Sequence, residues 1–328
     1  MIKRPIAQIS LESGGVLKPL IISPHLLGGT GVINPSIFID GDDTIMLLRH
    51  VNYSLFHSEK KQTFLHEWGP LVYVHPETYQ KLKTTNYYCV LDEDYNIKRC
   101  SVVNTNNLDV EPMWDFVGLE DARLVRWDDK LYLSGVRRDT TTHGEGRIEL
   151  SEISVTDTDV TEISRVRIQP INEGSYCEKN WMPFIDKPYH YIKWTNPTEV
   201  VKADIQAKKI HQVYVGNYVE GYRDMRGGSQ VLPWKGNYIA ITHEVDLYHD
   251  HLGRKDAKYT HRVVLWDKDY NIIKWSDDFT FMNGHIEFCA GMCYKDGNFL
   301  ITFGFRDNCS FLLKLPETVM ENIINGTV

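Results

Sequence analysis

The chain has 328 residues, 42% of them hydrophobic, enough for a sizeable core in one large all-β domain or two ordinary ones. Its 44 Asp plus Glu outweigh 36 Lys plus Arg for a formal net charge of -8, the wrong sign for a protein that embraces a phosphate backbone, so nucleic acid is not the expected partner. Six cysteines without C-x-x-C spacing, an N-terminus (MIKRPIAQISLESGG) without an apolar h-region, and no apolar run near the roughly 20 residues that span a bilayer predict a cytoplasmic protein with reduced thiols.

Short runs rich in Val, Ile, Tyr, Phe and Trp, separated by Asp, Asn and Gly, predict many short antiparallel strands. In chain order, Gly28-Gly29-Thr30-Gly31 precedes a strand instead of a helix and so lacks a phosphate-binding context. A first apolar hairpin, NPSIFIDGDDTIMLLRH, runs from Asn34. Pro76 to Lys83, opening with Pro-Glu, predicts a helix. LDEDYNIKRC, residues 91 to 100, predicts an outer hairpin, and EDARLVRWDDKLYLSGVRRD from Glu120 a second apolar one. His143 to Arg147 reads as a loop over its end. A third hairpin, KNWMPFIDKPYHYIKWTNP, starts at Lys179, and a fourth, GGSQVLPWKGNYIAITHE, at Gly227.

His243-Glu244-Val245-Asp246-Leu247 begins like a zinc-protease helix but places Leu247 where the second ligand should stand, so no metal site is expected there. His249, His251 and His261 are expected in a solvated polar connection. LWDKDYNIIKW, residues 265 to 275, repeats the outer-hairpin pattern Asp-x-Asp-Tyr-Asn-Ile. The fifth hairpin, IEFCAGMCYKDGNFLITFGFRD, starts at Ile286, and Pro316 to Ile324 predicts a closing helix. Each apolar hairpin carries good turn chemistry. Five inner hairpins, at least two followed by outer ones, predict four-stranded antiparallel blades around a channel: a single five-bladed β-propeller domain over residues 1 to 328.

In an antiparallel hairpin the first residue of strand one and the last of strand two lie at the same end, so all five pairs should ring one rim. They are Asn34 with Arg49, Asp121 with Arg137 and Arg138, Lys179 and Asn180 with Thr195 and Asn196, Ser229 with His243 and Glu244, and Glu287 with Arg306 and Asp307. Any one strand-end charge is ordinarily just solvated. Five repeats together predict a mouth for an anionic or polyhydroxylated ligand. Strand alternation sends Glu120 and Asp121 to opposite faces and puts Arg123 on the face of Asp121, so a catalytic partner for Asp121 should come from Glu287, Glu244 or Asp307. Trp114, Trp181 and Trp194 near the rim could stack on a sugar or cover sheet edges. Ser229 with His243 lacks a G-x-S-x-G elbow, Cys289 and Cys293 read as buried thiols, and no cofactor motif is present.

Gly118-Leu119-Glu120-Asp121-Ala122-Arg123, followed by an apolar hairpin, resembles the G-x-E-D-P-R signature of glycoside hydrolase family 130, the β-mannoside phosphorylases and β-1,2-mannosidases. Asn34-Pro35 and Arg49 resemble that family's first blade, and its five-bladed propeller agrees with the repeat count. The resemblance implies an inverting carbohydrate-active enzyme with Asp121 as general acid and phosphate attacking the anomeric carbon. It further implies a phosphate held by Arg137, Arg138, Lys179 and His243, and sugar contacts from Asn34 and Arg49; the rim reading adds Arg123, Asn180, Trp181, Ser229, Glu244 and Asp307 as expected sugar contacts. If water attacks instead, Glu287 is the expected second catalytic carboxylate. Ala122 replaces the usual proline, and the segments around Lys179, Arg226 and Ile286 mark a distinct branch. The related glycosyltransferase family 108, which moves mannose from activated donors, implies transfer from a sugar phosphate or nucleotide sugar as an alternative. A glycan-binding propeller without catalysis is the third reading.

Overall fold

A computed structural model describes residues 4–27, 31–56, 63–65, 72–74, 81–221, 225–249, 251 and 255–327. Strand formation follows the turns. Asp128-Asp129, Lys235-Gly236 and Asp296-Gly297 each put two consecutive residues at positive φ between directly paired strand ends. That is the type I′ geometry whose twist matches a hairpin; Asp and Gly enter it at low cost, and Lys235 does so beside a glycine. The two outer hairpins share one device: Asp92 Oδ1 accepts from the backbone N–H of Asp94 and Asn96, and Asp267 Oδ1 from those of Asp269 and Asn271.

The first sheet pairs Val32–Asp40, Asp43–Val51, Leu82–Leu91 and Ile97–Asn104 in that order, all antiparallel. The second pairs Glu120–Trp127, Lys130–Arg137, Arg147–Val155 and Val160–Arg167, and a short parallel contact of Val160 with Val103 joins the two at their edges. The third pairs Met182–Pro183, His190–Trp194, Glu199–Asp204 and Lys209–Val215. In the fourth, Arg226–Gly227 and Leu232–Trp234 share the first position beside Asn237–His249, followed by Lys255–Trp266 and Ile272–Trp275. The last pairs Glu287–Lys295, Asn298–Phe305 and Cys309–Pro316, and takes Val16–Pro19 from the other end of the chain as its outer strand. A small further sheet holds Ser54–Phe56, Val72–Val74 and Thr63–Leu65.

Side-chain alternation explains why these strands are apolar on both faces. Ile45 and Leu47 pack with Leu124 and Leu133 of the second sheet, whereas Met46 and Leu48 point the other way, to Leu300 and Leu312 of the last. Val125 and Trp127 meet Tyr191 and Val201; Met182 and Ile192 meet Tyr238 and Val264; Ile239 and Val263 meet Met292 and Leu313. Each of these sheets is thus buried against its two neighbours, and the last against the first. At the centre the fully buried Gln230 amide donates from Nε2 to Ser36 Oγ, the Ile37 carbonyl and the Leu124 carbonyl, while its Oε1 accepts from the Met292 N–H. One side chain on the fourth sheet therefore ties in the first, second and fifth.

Three sequence expectations change. Of the helix expected over Pro76 to Lys83, residues 76–80 lie outside the described residues, and Leu82 and Lys83 begin a strand. The histidine-bearing connection is largely strand: Asn237–His249 and Lys255–Trp266 pair along their whole length, and His261 is fully buried between Phe279 and Phe281. The helix Ile6–Glu12, unforeseen, buries Ile6 and Ala7 in the core between the fourth and fifth sheets. The closing helix forms as expected, Glu317–Asn325, capped by Gly326 at φ 68°. Among the described residues no helix is long and apolar enough to cross a membrane.

Candidate active site

The strand entrances are not regular. Pairing slips between Ile33 and Ser36 and again between Glu120 and Arg123, and the residues in the slips, Asn34 and Asp121, have φ of 46° and 47°. Asn180, at the same place in the third hairpin, has φ 60°. A bulge with a left-handed residue bends the strand and re-aims one side chain, and non-glycine residues hold that conformation at a cost that clusters at functional sites.

The bulges bring the first two sheets together at one mouth. Asp121 Oδ1 accepts from Asn34 Nδ2 at 2.8 Å and from Arg49 NH1 at 2.8 Å. Arg49 is buried and spends its other nitrogens on Thr84 Oγ1, 3.1 Å from Nε, and the Tyr53 hydroxyl, 3.1 Å from NH2. Glu120 lies 3.7 Å from the same guanidinium and 3.9 Å from that of Arg138. The opposite-face expectation for Glu120 and Asp121 is therefore corrected: the bulge interrupts alternation, and Arg49 reaches both carboxylates. Arg123 donates to the Asp121 carbonyl at 2.6 Å and twice to the Gly228 carbonyl, and its guanidinium lies over the Phe288 ring.

Charge sorts two carboxyls of the mouth, Asp121 and Asp307. Burial works against the Asp121 anion, yet Arg49, Arg123 and the hydrogen bonds from Asn34 and Arg49 hold its carboxyl below the usual range. Asp307, in a left-handed turn with φ 49°, is pushed up to about 6 by burial, against the pull of Arg49, with the Asp121 charge adding to the rise. Of the three carboxyls within electrostatic reach of Arg49, Asp121 and Asp307 are thereby pushed apart, one ionised and one protonated in mildly acid solution. His243, buried against Tyr259 and Phe288, is held well below the usual imidazole range by burial, then by His261, Arg226, Lys179 and Arg123. It is neutral at pH 7, and its Nδ1 is buried without a hydrogen-bond partner among the described residues.

Several expected site residues are committed elsewhere. Trp181 is core, edge-on to Tyr191 with Nε1 donating to Glu178. Ser229 is fully buried, its hydroxyl bonded to the Gln230 carbonyl and the Ile241 N–H. Both Glu287 oxygens accept backbone N–H groups, from Phe281, Met282 and Gly284, so this carboxylate fastens the loop before its strand and does not stand open to water. Arg137 is buried with Nε 2.9 Å from Glu149 and NH1 3.3 Å from Asp139, neutralised before any ligand arrives. Glu244 pairs with Arg262 at 3.8 Å. Arg138 is the more open of the two arginines, touching the Gly144 carbonyl, Cys177 Sγ and the Tyr176 ring, while Lys179 is exposed and Asn180 buried. Trp114 packs on Gly144, where a Cβ would lie 2.4 Å from its indole nitrogen, so the His143 to Arg147 segment is tied down beneath it. Tyr53 and Thr84, which orient Arg49, had no sequence signal: their role depends on a fold-back of the chain that hairpin patterns do not encode.

No family model matches the chain, and no curated protein matches it. Solved structures do. A β-1,2-mannobiose phosphorylase from Listeria innocua, solved with β-1,2-mannobiose, superposes with TM-score 0.58 at 10% identity, over 90% of this chain and 92% of that one. A glycosyl hydrolase from Bacteroides ovatus gives 0.56 at 13% identity, over 88% and 87%. A mannose phosphorylase from Leishmania mexicana, solved with a phosphate ion, gives 0.51 at 12% identity, over 94% and 92%. At these identities the likeness is one of fold: nearly the whole chain is built as these mannoside phosphorylases and glycosidases are built.

Proposed function

We propose that the five sheets are the blades of one five-bladed β-propeller domain, and that its mouth breaks a β-mannoside-like glycosidic bond by inverting phosphorolysis, or forms one in reverse. The observation that carries this reading is Asp121 itself: a carboxylate in a strained bulge, gripped on Oδ1 by Asn34 and Arg49, with Asp307 within electrostatic reach and pushed up to about 6. In the forward direction a phosphate oxygen bonds to the anomeric carbon as the bond to the leaving oxygen breaks. That oxygen takes a proton from Asp121, directly or through a sugar hydroxyl.

Arg49, Arg123 and Asn34 keep Asp121 ionised despite its burial. An arriving phosphate adds negative charge, which raises the carboxyl and favours loading it with a proton, and below about pH 6 Asp307 holds one within electrostatic reach. Arg138, Lys179 and Arg226 supply positive charge for that anion, Lys179 and Arg226 from exposed positions, and neutral His243 offers a hydrogen bond. Asn34 and Arg49 orient Asp121 and would meet sugar hydroxyls. Mannoside and phosphate as ligands are supported by the fold likeness to proteins solved with β-1,2-mannobiose and with phosphate. A cytoplasmic setting is supported by six free cysteines, two of them, Cys89 and Cys100, with sulfurs 3.3 Å apart.

Hydrolysis is the second reading, favoured by Asp307 as a second carboxyl that could serve water in place of phosphate. The two separate on incubation with manno-oligosaccharides with and without phosphate. Phosphorolysis gives sugar 1-phosphate only when phosphate is present; free mannose at equal rates in both would replace it with hydrolysis, and no product from either, or from glycosyl phosphates as donors, would leave a binding propeller.

A further inference from the structure

Two of the six cysteines face each other across one pair of strands. In the first sheet Leu82–Leu91 and Ile97–Asn104 run antiparallel with Cys89 directly opposite Cys100, and the two sulfurs are 3.3 Å apart. Directly opposed residues of antiparallel strands have Cα atoms about 4.5 or 5.5 Å apart, inside the roughly 4.4–6.8 Å that a disulfide spans. A bond of about 2.05 Å therefore asks the sulfurs to close by about 1.2 Å, with no change of register. The two thiols are not equivalent. Cys89 is fully buried, whereas Cys100 is half-buried at the edge of the same apolar cluster. The Cys89 thiol donates to Cys100 Sγ, and that hydrogen bond pushes the Cys100 thiol down and the Cys89 thiol up. Burial pushes Cys289, Cys293 and Cys309 up. Cys100 is thus a reachable thiol that favours its thiolate, with a second sulfur lodged behind it.

We propose that Cys89 and Cys100 form a redox-modification site, oxidised reversibly to a disulfide by a low-molecular-weight disulfide such as oxidised glutathione. The Cys100 thiolate attacks one sulfur of the small disulfide: a mixed disulfide forms at Cys100, the S–S bond of the oxidant breaks, and one small thiolate leaves. Cys89 then has no Cys100 thiolate to donate to. It loses its proton to the departed thiolate and attacks Cys100 Sγ, and the second small thiol leaves with the proton that Cys100 had released to water. Two protein thiols are oxidised and one small disulfide is reduced to two thiols. The ring so closed runs from residue 89 to residue 100 and restricts chiefly the unfolded chain, so it stabilises the sheet in which Asp43–Val51, the strand of Arg49, pairs with Leu82–Leu91. Pairs of this kind in a reducing compartment are transient and respond to oxidant.

The test is incubation of the full chain with oxidised glutathione, acid quenching, alkylation of the remaining thiols, and peptide mapping by mass spectrometry. Peptides joined through Cys89 and Cys100 are expected, released again by dithiothreitol, with the oxidised chain melting at a higher temperature than the reduced one. In Cys89→Ala, folded as judged by its own melting transition, a glutathione adduct should accumulate at Cys100 because no second thiol resolves it. Absence of the joined peptides from the native chain at millimolar oxidant overturns the proposal. So does a glutathione adduct that persists at Cys100 while Cys89 stands free. A link that forms only with a lowered melting temperature overturns it too, since the folded strands would then have to distort to hold the bond.

Discussion

Asp121 and Asp307 show how a pair of identical side chains acquires two ionisation states from its surroundings. Arginines and hydrogen bonds keep the first charged, and burial keeps the second protonated up to about pH 6. Turnover that draws on the Asp307 proton should fall as pH rises through 6, and Asp307→Asn should remove that limb from the kcat profile. A profile unchanged in shape would take Asp307 out of the proton inventory. The same shift has a stability sign. Because the folded pKa lies above the unfolded one, the folded state binds the extra proton between about 4 and 6, so stability from this group is full below 4 and lost as pH climbs past 6. Asp307→Asn should therefore raise the melting temperature more at pH 8 than at pH 4. At this scale the sequence was partly legible. Strand polarity put Asn34, Arg49 and Asp121 at one end, and their contact follows. It could not tell Trp181, Ser229 and Arg137, which point between sheets or into ion pairs, from residues that face the mouth, because that choice is made by bulges of one residue.

The bulged strand entrance is the element on which the site rests, and it is held by close approach from the neighbouring sheet. A Cβ on Gly304 would lie 2.2 Å from Asn34 Oδ1 and 2.8 Å from its backbone nitrogen. Gly304→Ala must displace Asn34, and overpacking of this kind costs about 1–3 kcal/mol. The variant should fold with a lowered melting temperature and lose at least tenfold in turnover; native turnover would show that Asn34 does not set the Asp121 geometry. The hairpins themselves were legible because type I′ turns demand residues that tolerate positive φ, and Asp-Asp, Lys-Gly and Asp-Gly announce them. The helix Ile6–Glu12 was not, since seven residues without a capping side chain carry too little pattern to stand out and are fixed by burial of Ile6 and Ala7.

For the whole molecule, the ring of sheets has to close, and closure is where local pattern stops informing. Val16–Pro19 completes the last sheet, and Gln230 bonds to three other sheets at the centre. Gln230→Leu removes these bonds and strands the Met292 N–H and two carbonyls without water; a loss of more than about 2 kcal/mol in denaturant unfolding is expected. An unchanged midpoint would show that apolar packing alone closes the ring. Nothing near Gln230 in the sequence marks it out, because its partners Ser36, Leu124 and Met292 meet only once every sheet is in place.

The central claim, that Asp121 moves the proton at the mouth, is tested most directly by measuring turnover and ligand binding side by side in Asp121→Asn, with a manno-oligosaccharide and phosphate as substrates. The account predicts turnover reduced on the order of 10²- to 10⁴-fold, the usual worth of a general acid, with binding within a few-fold of the native chain. Native turnover in that variant, or binding and turnover lost in proportion, would contradict it.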